Sequence, residues 1–315
     1  MRIQFVNADF QSSSGPNCFA TCLAKQLYNT GHEVTFDFKG ADASLVFIEN
    51  PQAQTLAEPI VQRIDGIWSG RGDFENFRNY LIQHMYDISH ACVFQSKFDE
   101  RVVTGLLGAH DHSIVIHNGT DAPPILNSTH TGLEAIRQQY DVVYCCSANW
   151  HRQKRLKENV ELFTHLRSLR PTVKQCLIVL GDHPDHVVAD HDIFYAGSQP
   201  LDVCIEVYSM SDYMLHLAHG DHCPNVVIHA LSQETPVVCT EHGGTREIVG
   251  AYGCVLREER EFEYGKMYDF DDPPPLDVKQ VLELPLRNQL GLHEDVTIET
   301  TAQKYVELFT KLKKK

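Results

Sequence analysis

Residues 217–249, LAHGDHCPNVVIHALSQETPVVCTEHGGTREIV, constrain this chain more than any other stretch. A loop carrying Asp221, His222 and Cys223 runs into Pro224, whose fixed φ suits the first position of a helix. That helix is predicted to reach about Ser232. Thr235–Thr240 (TPVVCT) then reads as a short strand apolar on both faces, the kind that parallel sheets bury. Gly243, Gly244 and Thr245 open a further helix. Two helix N-termini therefore flank one strand, one of them behind a glycine pair that lets backbone N–H groups approach a ligand. Such a place suits an anion, above all a phosphate.

The rest of the chain repeats the alternation of strand and helix. Residues 1–7 read as a strand, Ser12–Asn17 as a small-residue loop, Cys18–Tyr28 as a helix and Glu33–Phe38 as the next strand. This is half of a Rossmann-like unit without the G-x-G-x-x-G dinucleotide fingerprint. The Ser14–Gly15 loop is open to two readings, a ligand-facing loop or an ordinary βαβ turn. Ser44–Glu49 and Ile64–Trp68 are predicted strands with a helix between them, which puts Asp65 near a strand's carboxyl end, where open α/β sheets bind ligands. A helix over Glu75–Ile88 would turn Phe77, Leu81, Met85 and Ile88 inward. Ala91–Ser96 and Ser113–His117 are further strands around a helix at Lys97–Leu107. Asn118-Gly119-Thr120-Asp121 follows as a turn, and the Pro, Ser, Thr and Gly of 120–138 mark a domain boundary. The second half restarts with a strand at Val142–Ser147. A helix carrying Leu156, Val160, Phe163, Leu166 and Leu169 on one face comes next, then strands at Gln175–Gly181, Ile193–Gly197 and Tyr213–Ala218. Thr297–Leu312 closes the chain as an amphipathic helix.

These 315 residues suffice for two domains, each with its own core. A net charge of −15 argues against nucleic acid as a partner, because phosphate contacts dominate that affinity. It also makes the basic run Asn149–Lys157 (NWHRQKRLK) informative, since its cations would repel a helix N-terminus unless an anion sat there. Arg155 and Lys157 are predicted to face solvent. The ten cysteines form no C-x-x-C pair, and most fall in apolar strands or helices, which fits reduced thiols and a cytoplasmic location. None of the 18 histidines falls in H-E-x-x-H or another spacing with a defined metal geometry, so no metal is expected. No run is long and apolar enough to span a membrane, although the Lys313–Lys315 tail would admit contact with an anionic surface.

Taken together, Asp221, Pro224, Asn225, His229, Ala230, Thr235–Val237 and Gly243-Gly244-x-x-Glu247-Ile248-Val249 resemble the donor-binding core of the retaining glycosyltransferases of family 4. That core reads E-x7-E, a small-residue helix, T-P-V and G-G-x-x-E-I-V. The N-G-x-D of 118–121 and the basic segment are similar too, in family order, and the length resembles compact bacterial or large-virus members. The resemblance implies the GT-B fold, an α/β architecture of two Rossmann-like domains with parallel sheets facing a central cleft. Its expected division is 1–125 for the acceptor side, 126–139 as linker, 140–292 for the donor nucleotide, and 293–315 as a helix returning to the first domain. It implies metal-independent transfer of a hexose from a UDP- or GDP-linked sugar to a hydroxyl of a glycan, glycoprotein or glycolipid, with no cofactor. Arg152, Lys154, Gly243, Gly244 and Thr245 would bind the diphosphate. Asp221 would contact the sugar, Asn225 would line the donor site, and His229 would meet the ribose. Asp65, with Ser14 and Gly15, would face the acceptor. Lys154, Asp221 and Asp65 would carry the chemistry.

The resemblance breaks at the glutamate pair, where Asp221 and His229 stand. His229 can form one hydrogen bond to a ribose hydroxyl but lacks a carboxylate's two acceptor oxygens, and a satisfied core histidine is the other reading. Asp65 is either an acceptor-side carboxylate or a turn former. A non-catalytic sugar-nucleotide or glycan binder, and a sugar-nucleotide epimerase or hydrolase, are the alternatives to a transferase.

Overall fold

The computed structural model describes residues 1–12, 14–68, 73–125, 131–182, 188–266, 272–285 and 293–314. The chain divides into two compact units. Unit 1 comprises Met1–Asp121, Glu263–Asp269 and Glu294–Lys315, and unit 2 comprises Ala122–Phe262 and Phe270–His293.

Unit 1 contains strands β1 (Arg2–Val6), β2 (Glu33–Thr35), β3 (Ala43–Phe47), β4 (Ile60–Ile64), β5 (Ala91–Phe94) and β6 (Ser113–Val115). They form one sheet in the order β2-β1-β3-β4-β5-β6, every pairing parallel. Helix α1 (Gly15–Asn29) follows β1, α2 (Asp73–Ile88) follows β4, and α3 (Lys97–Leu107) follows β5. Ile3, Phe5, Leu45, Val61 and Val93 of the strands are fully buried beneath Phe19 and Leu23 of α1. The same core holds Ile298, Tyr305 and Phe309, all fully buried, from the last helix (Ile298–Leu312). That helix starts beside a parallel bridge between Thr120 and Thr297.

Unit 2 contains helix α4 (Thr131–Gln139), strand β7 (Val142–Ser147), helix α5 (Leu156–Leu169), β8 (Gln175–Leu180), β9 (Ile193–Gly197) and α6 (Leu201–Met210). Strand β10 (Tyr213–His216), α7 (Asn225–Ser232), β11 (Val237–Thr240), α8 (Thr245–Val249) and β12 (Gly253–Leu256) complete it, so the helix of 298–312 is α9. Its sheet runs β12-β11-β10-β7-β8-β9, again all parallel. Strands β8 and β10 lie on opposite sides of β7, so the topology switches between β7 and β10. Open α/β sheets bind ligands just beyond the carboxyl ends of strands at such a point.

Several expected elements differ from those observed. The fourth strand is Ile60–Ile64 and not 64–68, and no helix separates it from β3. Pro51 and Pro59 lie in that connection, and proline breaks a helix interior. The second strand stops at Thr35. Helix α2 buries Ile82, Met85 and Tyr86, while Phe77 and Ile88 are exposed; an ion pair from Arg78 to the buried Glu49 fixes its rotation. Residues 131–139, expected as linker, form α4. Helix α6 and strand β12 were not foreseen, and Leu169 is exposed. All ten cysteines are free thiols, with Cys92, Cys145, Cys146, Cys176 and Cys239 buried. Among the described residues no helix is long and apolar enough to cross a membrane. Lys313 of the basic tail bonds Asp42 at 2.7 Å.

Candidate functional site

Three loops of unit 2 leave the carboxyl ends of adjacent strands β7, β10 and β11, and they are stitched together by backbone. The His219 N–H donates to Gln153 O at 2.9 Å, and the Gln153 side chain returns a bond to His219 O. Gly220 N–H donates to His242 O, and Gly244 N–H donates to Asp221 O at 2.7 Å. This stitching accounts for one glycine. Gly243 has φ +136°, and a Cβ there would stand 3.0 Å from Asp221 O. The amide of Gly244 is therefore engaged within the fold and is not a bare donor, contrary to the expectation for the glycine pair.

The stitching brings Lys154 and Asp221 together. Lys154 ends a 3₁₀ turn, Arg152–Lys154, and its Nζ lies 2.5 Å from Asp221 Oδ2. His216, the last residue of β10, places Nε2 3.1 Å from the same oxygen. Burial by itself would raise the Asp221 carboxyl, but the Lys154 charge and the His216 bond hold it well below the usual carboxylate range. Burial lowers the His216 pKa, so the ring is neutral and its Nε2–H donates to the carboxylate. Among the described residues Asp221 Oδ1 takes no hydrogen bond. The result is a carboxylate with one oxygen saturated and one on offer, beside an ammonium with two further N–H donors.

The other predicted residues of this unit lie on the same turn as Lys154, on α7 and at the start of α8. Arg152 is exposed in the 3₁₀ turn. Asn225 opens α7 and His229 lies one turn further on, so the two share a helix face, both partly exposed. Thr245 opens α8, is 2% exposed, and its Oγ1 has no hydrogen-bond partner among the described residues. In unit 1, Ser14 is the exposed N-cap of α1 and Gly15 its first residue. Asp65 follows β4 and is ion-paired with Arg63, so it is not a lone carboxylate. Arg63 is fully buried, donates to Asn118 Oδ1 at 2.7 Å and lies 4.4 Å over the Phe19 ring. The Asn118 turn is thereby locked to the end of β4.

Two residues were missed. His216 left no motif, being one histidine among many and lying inside the strand predicted at Tyr213–Ala218, whereas the observed strand ends on it. Arg155, predicted to face solvent, is 2% exposed and ion-paired with Glu258 at 2.9 Å. Among the described residues one group, Asp190, His191 and Asp192, has the spacing to hold a metal. Arg167 already bridges both carboxylates, at 2.5 and 3.0 Å, and holds Asp190 down at about 2.

Comparison with known proteins adds the following. Residues 139–264 match the family described as "Glycosyl transferases group 1". None of the curated proteins matches in sequence. Among solved structures, the chain is similar to a glycosyltransferase from Rickettsia africae, with a TM-score of 0.64 at 13% identity, covering 99% of this chain and 98% of that one. It is similar to Anabaena Alr3699/HepE in complex with UDP-glucose, with a TM-score of 0.63, 13% identity, and 99% and 100% of the two chains covered. A sucrose-phosphate synthase from Thermosynechococcus elongatus aligns with a TM-score of 0.60 at 11% identity, over 82% of this chain and 86% of that chain. The fold is GT-B. Its two parallel six-stranded sheets with flanking helices are the architecture these structures share with the chain.

Proposed function

We propose that this chain is a retaining glycosyltransferase that moves a hexose from a nucleoside-diphosphate sugar to an acceptor hydroxyl without a metal. The observation that carries the reading is the Lys154–Asp221–His216 constellation at the switch point of a sheet lying in the segment that matches group 1 glycosyltransferases. Departure of a nucleoside diphosphate builds negative charge on a phosphate oxygen. A fixed ammonium stabilises that charge without reorganising. Lys154, with Arg152 on the same turn and the start of α8 at Thr245, takes this role. The open Oδ1 of Asp221 accepts a hydrogen bond from a sugar hydroxyl, a charge-assisted contact. Asn225 and His229 on α7 take the ribose side. UDP is the first nucleotide to test, because the similar Anabaena protein was solved with UDP-glucose.

In the step itself the bond from C1 to the β-phosphate oxygen breaks and the acceptor oxygen bonds C1 on the same face. The acceptor's proton leaves to the departing diphosphate. Asp65, already held by Arg63, then positions an acceptor and does not act as its base. The acceptor class is a glycan, glycoprotein or glycolipid hydroxyl.

Titration calorimetry against UDP- and GDP-sugars, followed by product analysis by NMR, tests the reading. Binding, turnover in the presence of EDTA and a product with the donor's anomeric configuration are the expected results. Donor binding with no turnover on any acceptor offered would make the chain a binding relative, and loss of turnover on chelation would overturn the metal-free step. Inverted stereochemistry at C1 or C2 in a hydrolysis product would replace the reading with that of a hydrolase or epimerase.

A further inference from the structure

One buried charge beside the donor site has no part in the chemistry just described. Arg155 directly follows Lys154, and its backbone is left-handed, with φ 54° and ψ 51°. That region is unfavourable for any residue with a Cβ, and a buried guanidinium is unfavourable unless paired. The fold accepts both at a single position. Arg155 Nη1 lies 2.9 Å from Glu258 Oε1, and Nη2 donates to Pro274 O at 2.7 Å. Glu258, whose side chain is fully buried, accepts from His219 Nδ1 at 3.2 Å and from the backbone N–H of His242 at 3.0 Å.

The three partners of Glu258 stand on different loops of the site. Arg155 belongs to the loop of Lys154, His219 to that of Asp221, and His242 immediately precedes Gly243. One inaccessible ion pair therefore ties together the three loops on which the proposed diphosphate grip depends. Stability alone does not call for such a pair, because apolar residues of similar volume generally stabilise as well or better.

We propose that Arg155 and Glu258 are positioning residues of the donor site: their ion pair sets where Lys154, Asp221 and the Gly243–Gly244 turn stand relative to one another. This rests on the donor-site reading above. Arg155→Gly tests it well, because glycine adopts left-handed backbone without strain and so keeps the loop while removing the pair. Glu258→Gln keeps the shape and removes the charge, and Arg155→Lys keeps the charge without the forked donors.

Calorimetry with UDP, UMP, GDP and GMP, run well below each variant's melting temperature, reads the affinity for diphosphate over monophosphate. The unmodified chain is expected to prefer one base's diphosphate by at least about tenfold, the worth of one charge-assisted hydrogen bond. In all three variants that preference shrinks about tenfold, with monophosphate affinity little changed, as expected for groups coupled within one network. Glu258→Gln placed in the Arg155→Gly background restores part of it by removing an uncompensated buried charge. A preference intact in the variants that fold, with only the melting temperature lowered, overturns the positioning role and leaves the donor site standing. An unmodified chain that binds neither diphosphate overturns both.

Discussion

Asp221 Oδ2 is shared between the Lys154 ammonium and the His216 ring, and the sharing fixes what each group can do. Lys154→Ala removes the cation that Asp221 holds in place, so turnover should fall by ~10²- to 10³-fold, the range for losing one preorganised donor to developing charge. A steady-state comparison with the unmodified chain checks this, and a loss below about tenfold would place the diphosphate elsewhere. His216 makes a separate prediction. Burial lowers its pKa from an ordinary value of ~6.5. Between the lowered folded value and ~6.5 the unfolded chain binds the proton more readily, so the contribution is complete above ~6.5 and is lost as pH falls. His216→Gln should therefore narrow the difference in unfolding free energy between pH 7 and pH 5, read from urea melts at both. Lys154 and Asp221 were reached through the family resemblance, because its order of basic turn, acid and glycine pair survives in one dimension. His216 and Arg155 were not. A histidine that caps a strand carries no spacing signal, and a buried arginine depends on Glu258, a partner far along the chain. Asp65 was legible as a position but not as a pair, since its partner Arg63 precedes the strand read at 64–68 and belongs to a strand only in the structure.

At the level of elements, periodicity located most strands and helices and failed where tertiary contacts set the outcome. Helix α3 was found at its observed bounds, because Ser96 caps it and Gly108 stops it. Helix α2 was found, but its buried face was misassigned: its apolar residues permit two stripes, and the Arg78–Glu49 pair selects between them. Helix α4 was hidden because it lies largely in the stretch 120–138, whose Pro123, Pro124, Ser, Thr and Gly signal a linker. The β11–α8 turn is the element on which the site most depends. Gly243→Ala would force a Cβ against Asp221 O, 3.0 Å away, in a left-handed backbone that costs ~1–2 kcal/mol for a residue with a Cβ. The expected outcome is a lower melting temperature together with weaker donor binding, because the carbonyl displaced belongs to Asp221 itself. Gly250→Ala makes the comparison informative. That residue also has positive φ, but its nearest neighbour is a relaxed 3.9 Å away, so it should lose stability alone. Equal donor affinity in the two variants would show that the turn does not set the site.

Across the whole molecule, the two units are built from interleaved segments, and the chain returns to unit 1 for its last helix. Each unit nevertheless has its own sheet and its own core, and the two halves were legible in the sequence because each repeats strand and helix around a separate apolar set. The return was implied by family resemblance and not by any pattern in residues 297–312, whose stripe says only that some partner exists. In the structure the partner is α1 and the first sheet, with Tyr305 and Phe309 fully buried. The proposed donor ligands, by contrast, all lie in unit 2. This separation predicts how the protein melts. Phe309→Ala removes a buried ring from unit 1 at a cost of about 3–5 kcal/mol, while a nucleoside diphosphate at 100 times its Kd stabilises whatever binds it by about 2.7 kcal/mol. Calorimetric scans should resolve two transitions, since chains of more than one domain need not unfold in a single step. The variant should lower one of them and UDP or GDP should raise the other, with donor affinity at low temperature unchanged by Phe309→Ala. If both perturbations moved the same transition by comparable amounts, the units would unfold as one, and the assignment of the donor site to unit 2 would lose this thermodynamic support.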